Sequence, residues 1–278
     1  MTSASPAAAA SVPEDHGLGR IGWKGHLLIL LIVAASLYPF GALLVTSFLP
    51  PVNGAPGQLW RDLFSQIPIT SYMLNSAIVS GGAMVLVATV SCMAGYSFAK
   101  LTFPGSVQVI AIVIAAISVP QATTIIPNYL NFASVGGVGA YWGPVLMYAA
   151  SSIPFATVLM TSFFKSLPDE LLESAVIDGA SYAQIFLVIM VPLATPALAT
   201  VGVLAFLTAW NDLLVGLLFL PDPAMRTISV GIATLQGVRD GSMNLILTGS
   251  LVSAIPPILA FIFFQKYLVS GIVSGMGK

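Results

Sequence analysis

The strongest constraint in this sequence is a series of apolar runs, each as long as a bilayer is thick. A hydrocarbon core about 30 Å deep is crossed by roughly 20 residues of helix. Six stretches reach that length: His26 to Phe48, roughly Met73 to Ala99, Ser106 to about Phe132, about Tyr141 to Phe164, Ile185 to about Leu220, and about Met243 to Phe264. The third contains Pro120 and Pro127. The fifth is too long for one simple crossing, so part of it must tilt, break or re-enter. Charged residues make up 7% of the chain, whereas soluble domains carry roughly 25%. A water-facing surface cannot be built from so few charges. The chain is therefore expected to be an all-α, polytopic membrane protein with six transmembrane helices.

Lysine and arginine positions orient the spans, because cytoplasmic loops carry the excess of cations. With the N-terminus inside, Arg20, Lys24, Lys100, Lys165, Lys266 and Lys278 lie on the cytoplasmic side, and Arg61, Arg226 and Arg239 lie outside. This predicts N-in and C-in. Lys100, Lys165 and Lys266 each follow the C-terminal end of a span, where a cation complements the helix dipole; lipid-surface anchoring accounts for them. Residues 1–25 read as a disordered cytoplasmic tail, 26–265 as the membrane domain and 266–278 as a cytoplasmic C-terminal tail. The formal net charge of -1 leaves no basic surface for nucleic acid. Cys92 is the single cysteine, which excludes an internal disulfide and a multi-cysteine metal site. Its place in an apolar run suits a buried structural thiol.

The loop between the fourth and fifth runs concentrates polar grammar. It holds four of the ten acids, Asp169, Glu170, Glu173 and Asp178. Ser166 with Asp169 fits a capping box, and Pro168 fits a first helical turn. Gly179 suits a left-handed helix stop. Ser181 and Gln184 fit a second capping box, at which the chain re-enters a helix. Two readings stand at this level: a stiff connector at the interface, or a rigid knob that docks a soluble partner.

The same loop carries a resemblance. Glu173-Ser174-Ala175, Gly179 and Ile189-Met-Val-Pro192 resemble the EAA loop of ATP-binding cassette (ABC) importer permeases, with Ser174 and Val191 as departures. Asn75-Ser76, the Gly95–Gly105 stretch, Ile177-Asp-Gly-Ala180 and Trp210-Asn211-Asp212 are similar to the carbohydrate, maltose-permease-type branch. The last residues depart from that branch's usual ending. The resemblance covers about residues 26–278. It implies the type I importer permease fold in a bacterial inner or plasma membrane. It implies a second homologous permease, a separate ABC ATPase dimer, an extracytoplasmic substrate-binding protein and the surrounding membrane lipid as partners. The loop from Glu173 to Gln184 would dock on the ATPase, with Ser174, Ser181 and Gln184 at the contact and Glu173 and Asp178 either pairing with ATPase cations or capping local amides. Ala175 would permit close approach, and Gly179 would make the turn. Pro50–Thr70 and Pro221–Ser242 would meet the binding protein. The chain has no phosphate-binding GxxxxGK[ST] sequence, so ATP and Mg²⁺ would be held by the partner, with no cofactor in this chain.

Candidates for the solute path are Asn128, Asn131, Trp210, Asn211 and Asp212. An acid at membrane depth is expensive and usually functional. Asp212 therefore reads either as a structural group near the outer interface or as a solute contact. A pathway poor in charge suits a neutral solute such as a sugar. Three alternatives remain at this level: an ABC permease for amino acids or peptides, an ion-gradient-driven carrier, and a membrane scaffold. A carrier would show intramembrane ionisable relays and often an internal repeat. An intramembrane enzyme would carry HExxH, GxSxG or a spaced carboxylate pair within a span; the sequence has neither motif and no such pair in a span.

Overall fold

In the computed structural model the described residues are 23–49, 55–235 and 243–276, with side chains as far as Tyr267. No strand occurs among them. The expected N-terminal tail up to residue 22, with Arg20, lies outside the described residues. So do Arg239, Lys278 and the loop segments 50–54 and 236–242. In chain order the helices are α1 (Trp23–Phe48), α2 (Gln58–Gln66), α3 (Ile69–Lys100), α4 (Ser106–Ile117), α5 (Gln121–Ser134) and α6 (Trp142–Ser166). Then follow α7 (Glu170–Ile177), α8 (Tyr182–Leu193), α9 (Thr195–Asn211), α10 (Leu214–Phe219), α11 (Ile228–Thr234) and α12 (Met243–Met276).

Two compact units divide at Val45–Thr46. The first contains most of α1, a 26-residue apolar helix able to cross a membrane. The second is organised around α3, which packs along α6 and α9, while α9 packs on α12 and α4 on α6. In lipid, apolar burial does not drive helices together; close packing and interhelical hydrogen bonds do. Gly95 supplies the closest packing. A Cβ there would stand 2.5 Å from Met160 Cβ and 2.9 Å from the Met160 and Thr161 backbone. The α3 and α6 backbones therefore touch at this crossing.

Hydrogen bonds fix the other end of α3. Asn75 is buried, donates from Nδ2 to the Ala224 and Arg226 carbonyls at 2.9 Å each, and accepts from Tyr141 Oη at 2.8 Å. Ser76 Oγ accepts from the Ile228 N–H, the first of α11, at 2.8 Å. Two adjacent polar side chains thus satisfy backbone groups about 150 residues away, which a buried segment requires.

The α3, α6 and α12 regions each match one expected span. The third run is bent, and with α4 and α5 taken as one span it remains one of the six. It breaks between α4 and α5 with a 102° bend at Pro120, while Pro127 is absorbed inside α5. Pro120 is extended, at ψ 129°, and starts α5 rather than interrupting it. The fifth run does break: α8 and α9 meet at 73°. Pro192 and Pro196 explain the place, because each removes a backbone donor. The freed Pro192 carbonyl accepts from Thr195 Oγ1 at 2.7 Å instead. Ahead of Pro192 the helix widens into a π-turn over Ile185–Met190. Helix α12 continues unbroken to Met276, past the expected end of the membrane domain at residue 265. Cys92 is buried among the apolar side chains that α3 and α6 share.

Candidate functional site

The loop after α6 folds as two capped helices. The α7 helix carries Glu170 and Glu173 in its first turn, where acids favour the positive helix end. It stops at Gly179, whose φ is +80°. The Gly179 N–H donates to the Val176 carbonyl and the Ala180 N–H to the Ala175 carbonyl, both at 3.0 Å. That pair of bonds is the Schellman stop, and glycine reaches its left-handed geometry without a Cβ penalty. Ser181 then caps α8. Its N–H donates to Gln184 Oε1 at 2.8 Å, and the Gln184 N–H donates to Ser181 Oγ at 3.4 Å.

The first expected capping box does not form. Ser166 is the last residue of α6, and its Oγ donates to the Phe163 carbonyl at 2.7 Å. Pro168 precedes α7 instead of lying in its first turn. Asp169 takes the N-cap position without a side-chain cap bond. Its carboxylate is drawn to Lys100 Nζ at 2.5 Å. This also corrects the anchoring role expected for Lys100: its side chain is 4% exposed, and it is bound to protein. Lys165 and Lys266 are exposed.

Ala175 is buried against the chain's own body, beside Phe164, Ile185 and Tyr96. The close approach its small side chain permits is therefore internal. The outward surface is made by its neighbours. Val176 is 54%, Ile177 85% and Tyr182 71% exposed. Glu173, Ser174, Asp178, Ser181 and Gln184 are exposed around them. An apolar tip is thus rimmed by acids, on two helices whose ends are locked by local hydrogen bonds.

The membrane candidates separate. Asn128 lines a cavity of about 510 Å³ at the α4–α5 bend, together with Gln121, Thr124, Ser151, Phe155 and Thr208. No charged residue lines it. Asn131 is exposed and outside that lining. Asn211 lies in a different groove, with Ser229, Ser250 and Ser253. Trp210 is buried, stacks on Phe206 at 5.4 Å, and donates from Nε1 to the Ser253 carbonyl at 3.0 Å. Asp212 Oδ1 accepts from the Val215 N–H at 2.7 Å and from Tyr148 Oη at 3.0 Å. Both bonds hold the turn into α10. Sequence reasoning missed Gln121, Thr124, Ser151 and Thr208, which are ordinary helix residues until the bend and α9 bring them together.

The Asp212 geometry carries an expected outcome. Asp212→Ala leaves two donors without an acceptor, and Tyr148 is 1% exposed. The loss is about 2 kcal/mol, the cost of stranding buried polar groups. Thermal unfolding of the detergent-solubilised protein reads it. Asp212→Asn keeps one acceptor oxygen and loses less, and transport per folded molecule is unchanged in both.

A helical body with up to six apolar spans and a capped, acid-rimmed loop defines the class: a polytopic membrane protein. Residues 91–274 match the family described as "Binding-protein-dependent transport system inner membrane component". The chain is 31% identical over 271 residues to the osmoprotective compounds uptake permease protein GgtD of Synechocystis sp., covering 91% of each chain. It is 30% identical to the trehalose/maltose transport system permease protein MalG of Thermococcus litoralis, over 90% of this chain and 96% of that one. The fold matches a chain in the crystal structure of a bacterial ABC transporter involved in the import of the acidic polysaccharide alginate. The TM-score is 0.72 at 20% identity, over 88% of this chain and 95% of that one. The chain belongs to the binding-protein-dependent inner-membrane family and is the permease subunit of an ABC importer. Permease subunits of this kind carry no ATPase site of their own.

Proposed function

We propose that this chain forms, with a second permease, the path for a neutral saccharide or related polyol, and couples that path to a separate ABC ATPase dimer. ATP and Mg²⁺ bind in the ATPase, the solute arrives from an extracytoplasmic binding protein, and this chain holds no cofactor. The observation that carries the reading is the apolar tip of Val176, Ile177 and Tyr182 on the doubly capped loop. A stiff connector lying on lipid is the competing reading. Between Ser166 and Gln184 there are four acids and no lysine or arginine. Such a segment is repelled by an anionic cytoplasmic leaflet, so its apolar tip suits a protein cleft. Glu173, Ser174, Asp178, Ser181 and Gln184 form the polar rim of that contact. Closure of the ATPases pushes the loop and swings the helices between inward- and outward-open states.

The solute reading rests on the cavity at the α4–α5 bend. Its amides and hydroxyls, with Phe155, offer neutral hydrogen bonds and an aromatic face and leave a zwitterion without a counter-charge. Relatives such as the trehalose/maltose permease MalG and the alpha-glucoside permease AglG of Rhizobium meliloti support the same class. The test is ATP-driven uptake of labelled saccharides by the complete importer in proteoliposomes, with amino acids and short peptides as competitors. Saccharide uptake is expected, lowered about fivefold in Asn128→Ala by loss of one neutral hydrogen bond. Uptake of peptides or amino acids and not of saccharides would overturn the assignment.

A further inference from the structure

The docking loop is fastened to one helix at two points. At its start, Lys100 Nζ donates to the Leu167 carbonyl at 2.6 Å and to Asp169 Oδ1 at 2.5 Å. Beyond α7, Phe186 of α8 packs on the Tyr96 ring at 5.1 Å, and Tyr96 meets Phe164 edge-on at 5.7 Å. Tyr96 and Lys100 are four residues apart on α3, one turn along the same face. The last turn of α3 therefore touches both ends of the projecting loop.

Lys100 is not an ordinary surface ion pair. Asp169 is 79% exposed, and a pair with so exposed a partner contributes little by itself. Yet the lysine side chain is 4% exposed. Two helix ends account for its burial. Lys100 ends α3, and Leu167 is the C-cap of α6. Each end carries partial negative charge. One ammonium thus joins the end of α3, the end of α6 and the start of α7. Between α6 and α7 the backbone is extended at Leu167, with ψ 136°, so no helix runs through this joint.

We propose that Lys100 is the positioning residue that transmits loop movement to α3. Untethered, the loop would swing about Leu167–Pro168, and a push from the ATPase would be spent in that joint. Tethered, it moves α3, whose Val87 lines the cavity at the α4–α5 bend. This rests on the docking reading above, and the experiment separates the two.

The experiment uses the complete importer in proteoliposomes with two readouts. A spin label at Glu170→Cys, in a Cys92→Ser background, reports loop tethering without reference to any partner. Solute moved per ATP hydrolysed reports transmission. Lys100→Met is expected to mobilise the label and lower the transport-to-hydrolysis ratio about tenfold, the size of an ordinary coupling between sites. ATPase co-purification stays unchanged. Lys100→Arg, which keeps charge and donors, restores both readouts. The exchange Lys100→Asp with Asp169→Lys does not, because a carboxylate would face the Leu167 carbonyl and two negative helix ends. A label as immobile in Lys100→Met as in wild type overturns the tether. A mobile label with an unchanged ratio overturns the transmission. Full recovery in the exchanged pair reduces the contact to a simple ion pair and overturns the proposal. Failure of the wild-type chain to hold any ATPase overturns the docking reading instead, and leaves the label result to judge the tether.

Discussion

Gly95→Leu is expected to yield no folded protein, and Gly95→Ala to melt well below wild type. Even a single methyl at this position meets Met160 Cβ at 2.5 Å and the Met160 and Thr161 backbone at 2.9 Å. Backbone atoms cannot turn aside as a flexible side-chain tip can, so α3 and α6 must separate. Overpacking of this kind costs about 1–3 kcal/mol for small insertions and more for large ones. Net stabilities are only about 5–15 kcal/mol. The separation also falls where Phe164, Met160 and Tyr96 share the cluster beneath α7 and α8, so the seat of that loop goes with the crossing. Size-exclusion profiles and melting curves of the detergent-extracted variants check this. Gly81→Ala is the control: nothing stands within 4 Å of a Cβ there, and alanine is favoured over glycine inside a helix by about 0.5–1 kcal/mol. A wild-type melting curve for Gly95→Ala would refute the backbone contact.

Ile177→Asp is expected to leave the membrane domain intact and release the ATPase. Ile177 is 85% exposed, so its replacement disturbs nothing inside the chain. At a protein contact it is the natural anchor, since full burial of an isoleucine is worth about 1.5–3 kcal/mol. A new acid beside Asp178 and Glu173 adds an unpaired, desolvated charge. A central contact residue lost in this way weakens association by about 2 kcal/mol or more, roughly thirtyfold. ATPase retained on the tagged chain, measured across a dilution series, checks it. The melting curve should be unchanged, and Ile177→Val should bind nearly as wild type. Full ATPase retention by Ile177→Asp would place docking elsewhere.

What the sequence made legible was what depends on near neighbours. Long apolar runs mark helices because lipid leaves little alternative for the backbone. The Gly179 stop and the Ser181–Gln184 capping box are set by residues three to five apart, and both appear as read. Asp169 shows the limit. Its spacing from Ser166 fits a cap, yet Lys100, 69 residues earlier, takes its carboxylate. The same distance hid the partners of Lys100, which looks from the sequence like an interfacial lysine. Asp212 accepts from Tyr148, 64 residues earlier, a pairing that no local pattern marks. Pro120 and Pro127 look alike in one apolar run, but only packing decides that the chain turns at the first and continues through the second. Asn128 was legible as a polar residue near a proline. The wall around it comes from α6 and α9, which local patterns do not connect.

A loop that joins this permease to an ATPase should hold the two together through mild-detergent purification of the tagged chain. Mass spectrometry of its companions is expected to find an ABC ATPase and a second multi-span permease. In vesicles, uptake is expected to run with ATP and to stop without it. A chain that purifies alone, or only with copies of itself, and still moves solute without ATP would contradict that link to an ATPase and mark a gradient-driven carrier instead.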